Sequence, residues 1–469
     1  MKINTYRQSF VNLVGIILLF SASGIAQENI TAKVDDHVKG VMQKQNVPGI
    51  SLAVVKNGQI VLAKGYGFAN LEHQVPVKPE TVFQSGSVGK QFTATAVMVL
   101  VEEGKISLDE KIGKYLGEVP ESWKNITVRH LLTHTAGLTD YPKDFDFRRD
   151  YKEDELLKIA QGIPTAFEPG EKFQYSNIGY VTLGILIGKV TGKFYGDFLQ
   201  ERIFKPLGMT TARVINEADI IPNRAAGYRL VKGELKHHEW VSPVLNTTAD
   251  GSLYLTILDM AKWDAALYDE KLLKKTSLDQ MWTPVSLNSG KKFEYGFGWG
   301  VGKINGRRLI SHNGAWQGFM AHIGRYVDDK LTVIVLANLA GFNATKLAGE
   351  IAAIYNPELA PPVLKPIEDK EPQVSARAKD LLQKLVEGTA GQEQFTAEAK
   401  EFLFPDRAKQ AGDFLKNLGK LEKMELVERQ DENGVGIYRY RLSYKDASLI
   451  YSLNINGEGK IASIQFRRE

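Results

Sequence analysis

The sequence predicts an α+β protein: one antiparallel β-sheet with an inserted helical lobe, then a small α+β domain at the C-terminus. Three observations predict it. Strand-patterned segments lie at both ends of residues 27–356, with mostly helical patterns between them. Residues 357–372 carry Pro357, Pro361, Pro362, Pro366 and Pro372 among charged side chains, which is linker composition. Residues 373–469 then return to a helix-first, strand-later pattern.

Taken in order, residues 1–26 read as a secretory signal. Lys2 and Arg7 precede the apolar run Phe10 to Phe20, and the small residues Ser21 to Ala26 follow. Cleavage is expected after Ala26. The run is short for a spanning helix, and the chain has no cysteine to carry a disulfide or a lipid. The mature chain is therefore expected in the periplasm or outside the cell, without a stable membrane anchor. A length of 469 residues allows two to three domains. A net charge of +4 with no basic block gives no case for nucleic acid as a partner.

Residues 29–45 are helical in pattern. Residues 50–55 and 59–64 form two strand runs around Asn57-Gly58, a hairpin signal. Residues 178–190, 195–204 and 256–267 read as helices, the last opened by the capping pattern Thr256-Ile257-Leu258-Asp259. Residues 296–303, 308–311, 318–326 and 331–338 read as strands, with turns at Asn305-Gly306 and Asp328-Asp329. A cleft between such a sheet and its helical lobe is a usual place for a site. In the tail, residues 375–387 and 396–418 read as helices. Residues 421–428, 436–443, 447–454 and 461–466 read as strands. Tyr438, Tyr440, Leu442 and Tyr444 alternate, and that face is expected to be core under a helix.

Three stretches carry chemistry. Phe83 to Phe92 runs into the apolar helix pattern Thr93 to Val101, stopped by Gly104. Ser87 and Lys90 stand three apart at its N-terminal end, so their side chains share a face. The helix dipole there favours developing negative charge, and an adjacent amine can relay the hydroxyl's proton. In Tyr175-Ser176-Asn177, a phenol near a lysine can serve as a base, and the amide can hold a carbonyl or the lysine. In Ser311-His312-Asn313-Gly314-Ala315-Trp316, placed at the end of a strand, glycine permits close approach of a substrate. The N–H that follows it can stabilise an oxyanion.

Ser87-x-x-Lys90, Tyr175-x-Asn177 and His312-x-Gly314, in that order, resemble the class C β-lactamase and D-alanyl-D-alanine carboxypeptidase (penicillin-binding protein-like) family of serine hydrolases. Val128 to Leu138, Tyr175 to Gly184 and Ile203 to Met209 are similar to segments of the same family, and the resemblance covers roughly residues 30–355. It implies an antiparallel β-sheet flanked by helices with an all-helical lobe. Ser87 would be the acylated nucleophile, Lys90 its proton partner and Tyr175 the general base, later the acid. Asn177 would orient substrate and Lys90, and His312 with Gly314 would line the cleft. The N–H groups of Ser87 and Ala315 would form the oxyanion hole. No cofactor and no metal are expected. The substrate would be a small molecule or peptide, such as a cell-wall peptide or a β-lactam.

Two positions depart from the family pattern. His312 stands where many β-lactamases have lysine, and an ordinary imidazole with a pKa of about 6.5 is mostly neutral at pH 7. Its protonation between pH 8 and 6 would then favour carboxylate-bearing substrates. Asp250 and Ser252 stand where the family tends to have glycines. His130 and His134 have a helical metal spacing, but Leu131-Leu132-Thr133 between them lacks the glutamate of a metal motif. Gly89-Lys90 lacks the remaining residues of a phosphate loop. The expected function is an exported serine hydrolase cleaving an amide or ester through a Ser87 acyl-enzyme. D-amino-acid peptidase, carboxypeptidase or esterase activity ranks ahead of β-lactamase activity. The rival class is a non-catalytic penicillin-binding sensor or scaffold, which would be labelled without turnover.

Overall fold

The structure is a computed structural model that describes residues 28–239, 241–242, 248–360, 364–432 and 434–468. The expected signal segment, residues 1–26, lies outside the described residues. The chain divides into two compact units between Pro361 and Pro362.

The first unit is built on a seven-stranded sheet. Its strand order is Gly300–Ile304, Arg307–Trp316, Phe319–Tyr326, Leu331–Ala337, Gly49–Lys56, Gln59–Asn70 and Val75–Pro76. Every neighbouring pair is antiparallel. Asn57-Gly58 and Asn305-Gly306 make two of the hairpin turns, with all four residues at positive φ. Such turns match the twist of the strands they join.

Side-chain alternation sends the two central strands into two cores. Ala53, Val55, Ile334 and Leu336 pack with Phe92, Val97, Leu183 and Trp263 of the helical lobe. Ile50, Leu52, Val54, Val333 and Val335 pack on the other side with Val34 and Val38 of helix 28–45 and with Leu347 and Ile351 of helix Ala344–Tyr355. Strand Leu331–Ala337 is buried throughout, because both its faces are covered. The helical lobe centres on helices Lys90–Glu102 and Asn177–Thr191, each buried nearly all round. Thr256 caps helix Ile257–Ala266 by accepting the Asp259 N–H at 3.0 Å.

The expected strand 308–311 is longer than its pattern suggested. It runs from Arg307 to Trp316, so His312, Gly314 and Ala315 lie within the strand rather than past its end. They are held opposite Ile323, Ala321 and Met320.

The second unit is a four-stranded antiparallel meander with helices. The strands are Lys423–Glu432, Val435–Tyr444, Ala447–Ile455 and Ile461–Arg468. Its first helix is Pro372–Glu387, so the proline-rich stretch ends inside a helix, with Pro372 in the first turn. Proline suits that place because the first helical N–H groups have no intrahelical partner. The single helix expected over 396–418 is two, Ala397–Leu403 and Asp406–Asn417. Phe404 between them is extended, as the residue before a proline tends to be. Tyr438, Tyr440, Leu442 and Tyr444 pack with Leu381, Leu385 and Leu415, so the aromatic face is core. Among the described residues no helix is long and apolar enough to cross a membrane.

Candidate active site

Ser87 lies in a 3-10 turn, Gly86–Gly89, and Lys90 is the first residue of the α-helix that follows. In 3-10 geometry residues three apart eclipse each other. The Lys90 Nζ accordingly stands 3.0 Å from the Ser87 Oγ. Lys90 is fully buried, and its ammonium has two further acceptors, the Asn177 Oδ1 at 2.7 Å and the Asp250 carbonyl at 2.5 Å. Its three N–H groups thus have three partners, which is what a buried ammonium requires.

Asn177 opens the helix Asn177–Thr191, and Ser176 caps it by accepting the Gly179 N–H at 3.1 Å. The Asn177 Nδ2 donates to the Asp140 carboxylate at 2.9 Å. That bond turns the amide so that its oxygen faces Lys90. The Tyr175 ring lies 4.9 Å from the Lys90 Nζ and 4.2 Å from the His134 imidazole. The Tyr175 Oη is buried, with no hydrogen-bond partner among the described residues.

Glycines let three backbones meet around Ser87. A Cβ on Gly314 would lie 2.0 Å from the Ser85 carbonyl and 3.0 Å from the Ser87 nitrogen. A Cβ on Gly251 would lie 2.2 Å from the Gly86 carbonyl. The Ser85 Oγ donates to the Gly251 carbonyl at 2.7 Å. The loop with the two departing residues therefore braces the nucleophile turn. Within it, the Thr248 hydroxyl bonds the Asp250 carboxylate, while the Asp250 carbonyl serves Lys90. Burial raises the Asp250 pKa, with Lys90 and Thr248 opposing.

A cavity of about 190 Å³ opens on this arrangement, its lining including Ser87, Asn177, Asp140, Asp250, Ala315 and Trp316. The structure thus gathers Ser87, Lys90, Asn177, Gly314 and Ala315 at one place, with Tyr175 against the lysine.

His312 differs from the sequence expectation. It is buried, its Nδ1 lies 2.6 Å from the Asn313 carbonyl, and its Nε2 lies 2.9 Å from the Tyr295 hydroxyl. Burial pushes its pKa down to about 4, with the Asn313 carbonyl opposing and the Lys90 charge adding to the fall. An imidazole so placed stays neutral from pH 8 to 6, so the expected titration in that window is corrected. His130 and His134 differ too. The helix Val128–Leu132 ends before His134, which has φ 57° and lies off the helix. His130 accepts the Thr127 N–H, and His134 Nδ1 accepts the Ser176 N–H at 3.1 Å.

The Beta-lactamase family profile matches residues 34–355. The chain belongs to the Beta-lactamase family. This is a family of serine hydrolases, and the mixed fold with a large antiparallel sheet agrees with it. A penicillin-binding protein of Bacillus subtilis (strain 168) is 32% identical over 314 residues, covering 63% of this chain and 69% of that protein. A D-aminopeptidase of Gluconobacter oxydans (strain 621H) is 26% identical over 344 residues, covering 71% of this chain and 64% of that protein. Among solved structures, an octameric penicillin-binding protein homologue from Pyrococcus abyssi has a TM-score of 0.64 at 25% identity. That match covers 94% of this chain and 98% of the other.

Sequence reasoning missed Asp140, Tyr295, Gly251 and the carbonyl of Asp250. Asp140 follows the segment Val128 to Leu138 by two positions, and Tyr295 opens the glycine-aromatic run Tyr295-Gly296-Phe297-Gly298-Trp299. Neither has a spacing that announces its partner.

Proposed function

We propose that this protein is an exported serine hydrolase that cleaves an amide or ester bond through an acyl-enzyme on Ser87. The substrate class is a D-amino-acid peptide, amide or ester. The observation that carries this reading is the buried Lys90 ammonium, 3.0 Å from the Ser87 hydroxyl and anchored on Asn177 and Asp250. For acylation the Ser87 Oγ attacks the substrate carbonyl and its proton passes to the Tyr175 oxygen, acting as a phenolate beside the Lys90 ammonium. The leaving nitrogen or oxygen then takes that proton as its bond to carbon breaks. Water attacks the ester so formed by the same route, releasing the acid and restoring Ser87. The Ser87 and Ala315 N–H groups hold the oxyanion at both stages.

A neutral His312 offers no cation to a substrate carboxylate, and on that ground we rank β-lactams and C-terminal carboxypeptidase substrates below neutral esters and amides. Export rests on residues 1–26, with a periplasmic or extracellular location following from it. Intact-protein mass spectrometry after incubation with a fluorophosphonate or labelled penicillin tests the nucleophile. Wild type gains the adduct and Ser87→Ala does not. An adduct on the alanine variant refutes the assignment. A substrate panel of nitrocefin, short nitrophenyl esters and D-alanyl peptides then ranks the leaving groups, and permanent labelling without turnover would favour the non-catalytic sensor.

A further inference from the structure

Beside the nucleophile lies a chain of buried polar groups in which the family motifs give a role to His312 alone. The Ser176 N–H donates to the His134 Nδ1 at 3.1 Å. The His134 Nε2 is 3.3 Å from the Tyr295 Oη, which is 2.9 Å from the His312 Nε2. The His312 Nδ1 is 2.6 Å from the Asn313 carbonyl. The two ends fix the proton on each imidazole. A backbone N–H can only donate, so His134 Nδ1 is a lone pair and a neutral His134 carries its proton on Nε2. A carbonyl can only accept, so His312 carries its proton on Nδ1. Tyr295 then accepts from His134, and its O–H has the remaining lone pair, His312 Nε2, at 2.9 Å, with the Tyr180 oxygen as a second acceptor nearby.

We propose that Tyr295 is a positioning residue that, with His134, fixes both imidazoles as single neutral tautomers and so keeps the third motif uncharged. A second proton on His312 would need Nε2 as a donor. It would meet the Tyr295 O–H pointing at it, and that hydroxyl would have to turn away to the Tyr180 oxygen. The same three rings surround Tyr175: the His134 ring at 4.2 Å, Tyr295 at 6.3 Å and His312 at 6.3 Å. The other titratable groups near His312 act in the same sense or not at all. Lys90 on its helix lowers the imidazole's proton affinity, and His322 on the neighbouring strand is itself held neutral, its pKa at about 3. The consequence is a specificity device. The cleft cannot gain a cation from His312 at moderate acidity, so substrates are chosen for a neutral group at that position. This last step rests on the proposed hydrolase reading, whereas the tautomers do not.

Long-range proton–nitrogen correlation on histidine-labelled protein tests the tautomers without any turnover. His134→Gln and His312→Gln assign the signals. Unaltered protein should show His312 protonated on Nδ1 and His134 on Nε2, with neither titrating from pH 8 to 5. His312 protonated on Nε2, or titrating near 6.5, overturns the proposal. Tyr295→Phe should raise the His312 midpoint by about one pKa unit, the net worth of one hydrogen bond. An unmoved midpoint in a folded Tyr295→Phe protein also overturns it. For specificity, KM for a matched ester and carboxylate pair should follow one pH trend between 8 and 6. A KM for the carboxylate that alone falls toward pH 6 overturns the neutral-cleft step. Inactive protein with the expected tautomers would refute the hydrolase reading and leave the hydrogen-bond chain standing.

Discussion

A Cβ placed on Gly86 would lie 2.4 Å from the backbone nitrogen of Ala315. The nucleophile turn and the strand Arg307–Trp316 therefore meet backbone to backbone, one residue before Ser87. Gly86 also has φ 49°, which favours glycine. The contact leaves no room for even a methyl group.

Gly86→Ala should consequently separate the Ser87 and Ala315 N–H groups. The acylation rate with a fluorophosphonate should fall about 10²–10³-fold, the usual loss on removing one oxyanion donor. The left-handed backbone adds a stability cost of about 1–2 kcal/mol. Stopped-flow labelling and calorimetry read the two effects apart. An alanine variant labelled at the wild-type rate would show that this contact does not shape the site.

Lys90 and Tyr175 should behave as one unit with Ser87. Lys90→Ala and Tyr175→Phe should each lower kcat by orders of magnitude, and the double variant should lose little more than the worse single one. Strictly multiplicative losses in steady-state kinetics would separate the two residues.

Asp140 should act through Asn177. Asp140→Ala removes the acceptor of the Asn177 Nδ2 and frees the amide to rotate away from Lys90. Because Asp140 is exposed, the effect should be modest: a several-fold drop in kcat, with KM for a neutral ester nearly constant. Asp140→Asn, which keeps an acceptor oxygen, should recover much of the loss. A drop shared equally by both variants would point to charge rather than orientation.

Stability should fall as pH drops from about 6.5 toward 4. His312 and His322 are buried neutral, with pKa values pushed down to about 4 and about 3. Their unfolded-state value is about 6.5, so below that pH the unfolded chain binds protons that the folded chain refuses. Their stabilisation is complete above pH 6.5 and is lost as pH falls toward the folded values. Each contributes a slope of about 1.4 kcal/mol per pH unit within that window. Urea midpoints at pH 7.5 and 5 test this, and His322→Gln should flatten the difference. Equal midpoints at both pH values in wild type would contradict the buried neutral state.

The tail should be separable. Its core of Leu381, Leu385, Leu415, Tyr440 and Leu449 draws on residues after Pro362. A chain ending at Ala360 should stay soluble and still take an acyl label. Loss of both properties, with full-length protein active, would make the tail part of the catalytic body.

What the sequence determined is what local spacing can encode. Ser87 and Lys90 meet because a turn of helix brings residues three apart together, and no distant residue is needed to see it. The Asn57-Gly58 and Asn305-Gly306 hairpins, the Thr256 cap and the alternating tyrosines of the tail were legible for the same reason. The Phe404-Pro405 break was legible in principle, since proline constrains the residue before it, yet the helical pattern on both sides masked it. The tertiary structure alone decided who meets Lys90 from afar. The Asn177 oxygen and the Asp250 carbonyl come from 87 and 160 residues away, brought there by the helical lobe and the loop behind the turn. It alone decided the charge of His312, because a pKa depends on burial and on the groups aimed at the ring. Those are Asn313, Tyr295 and Lys90, and only the folded chain puts the last two beside it.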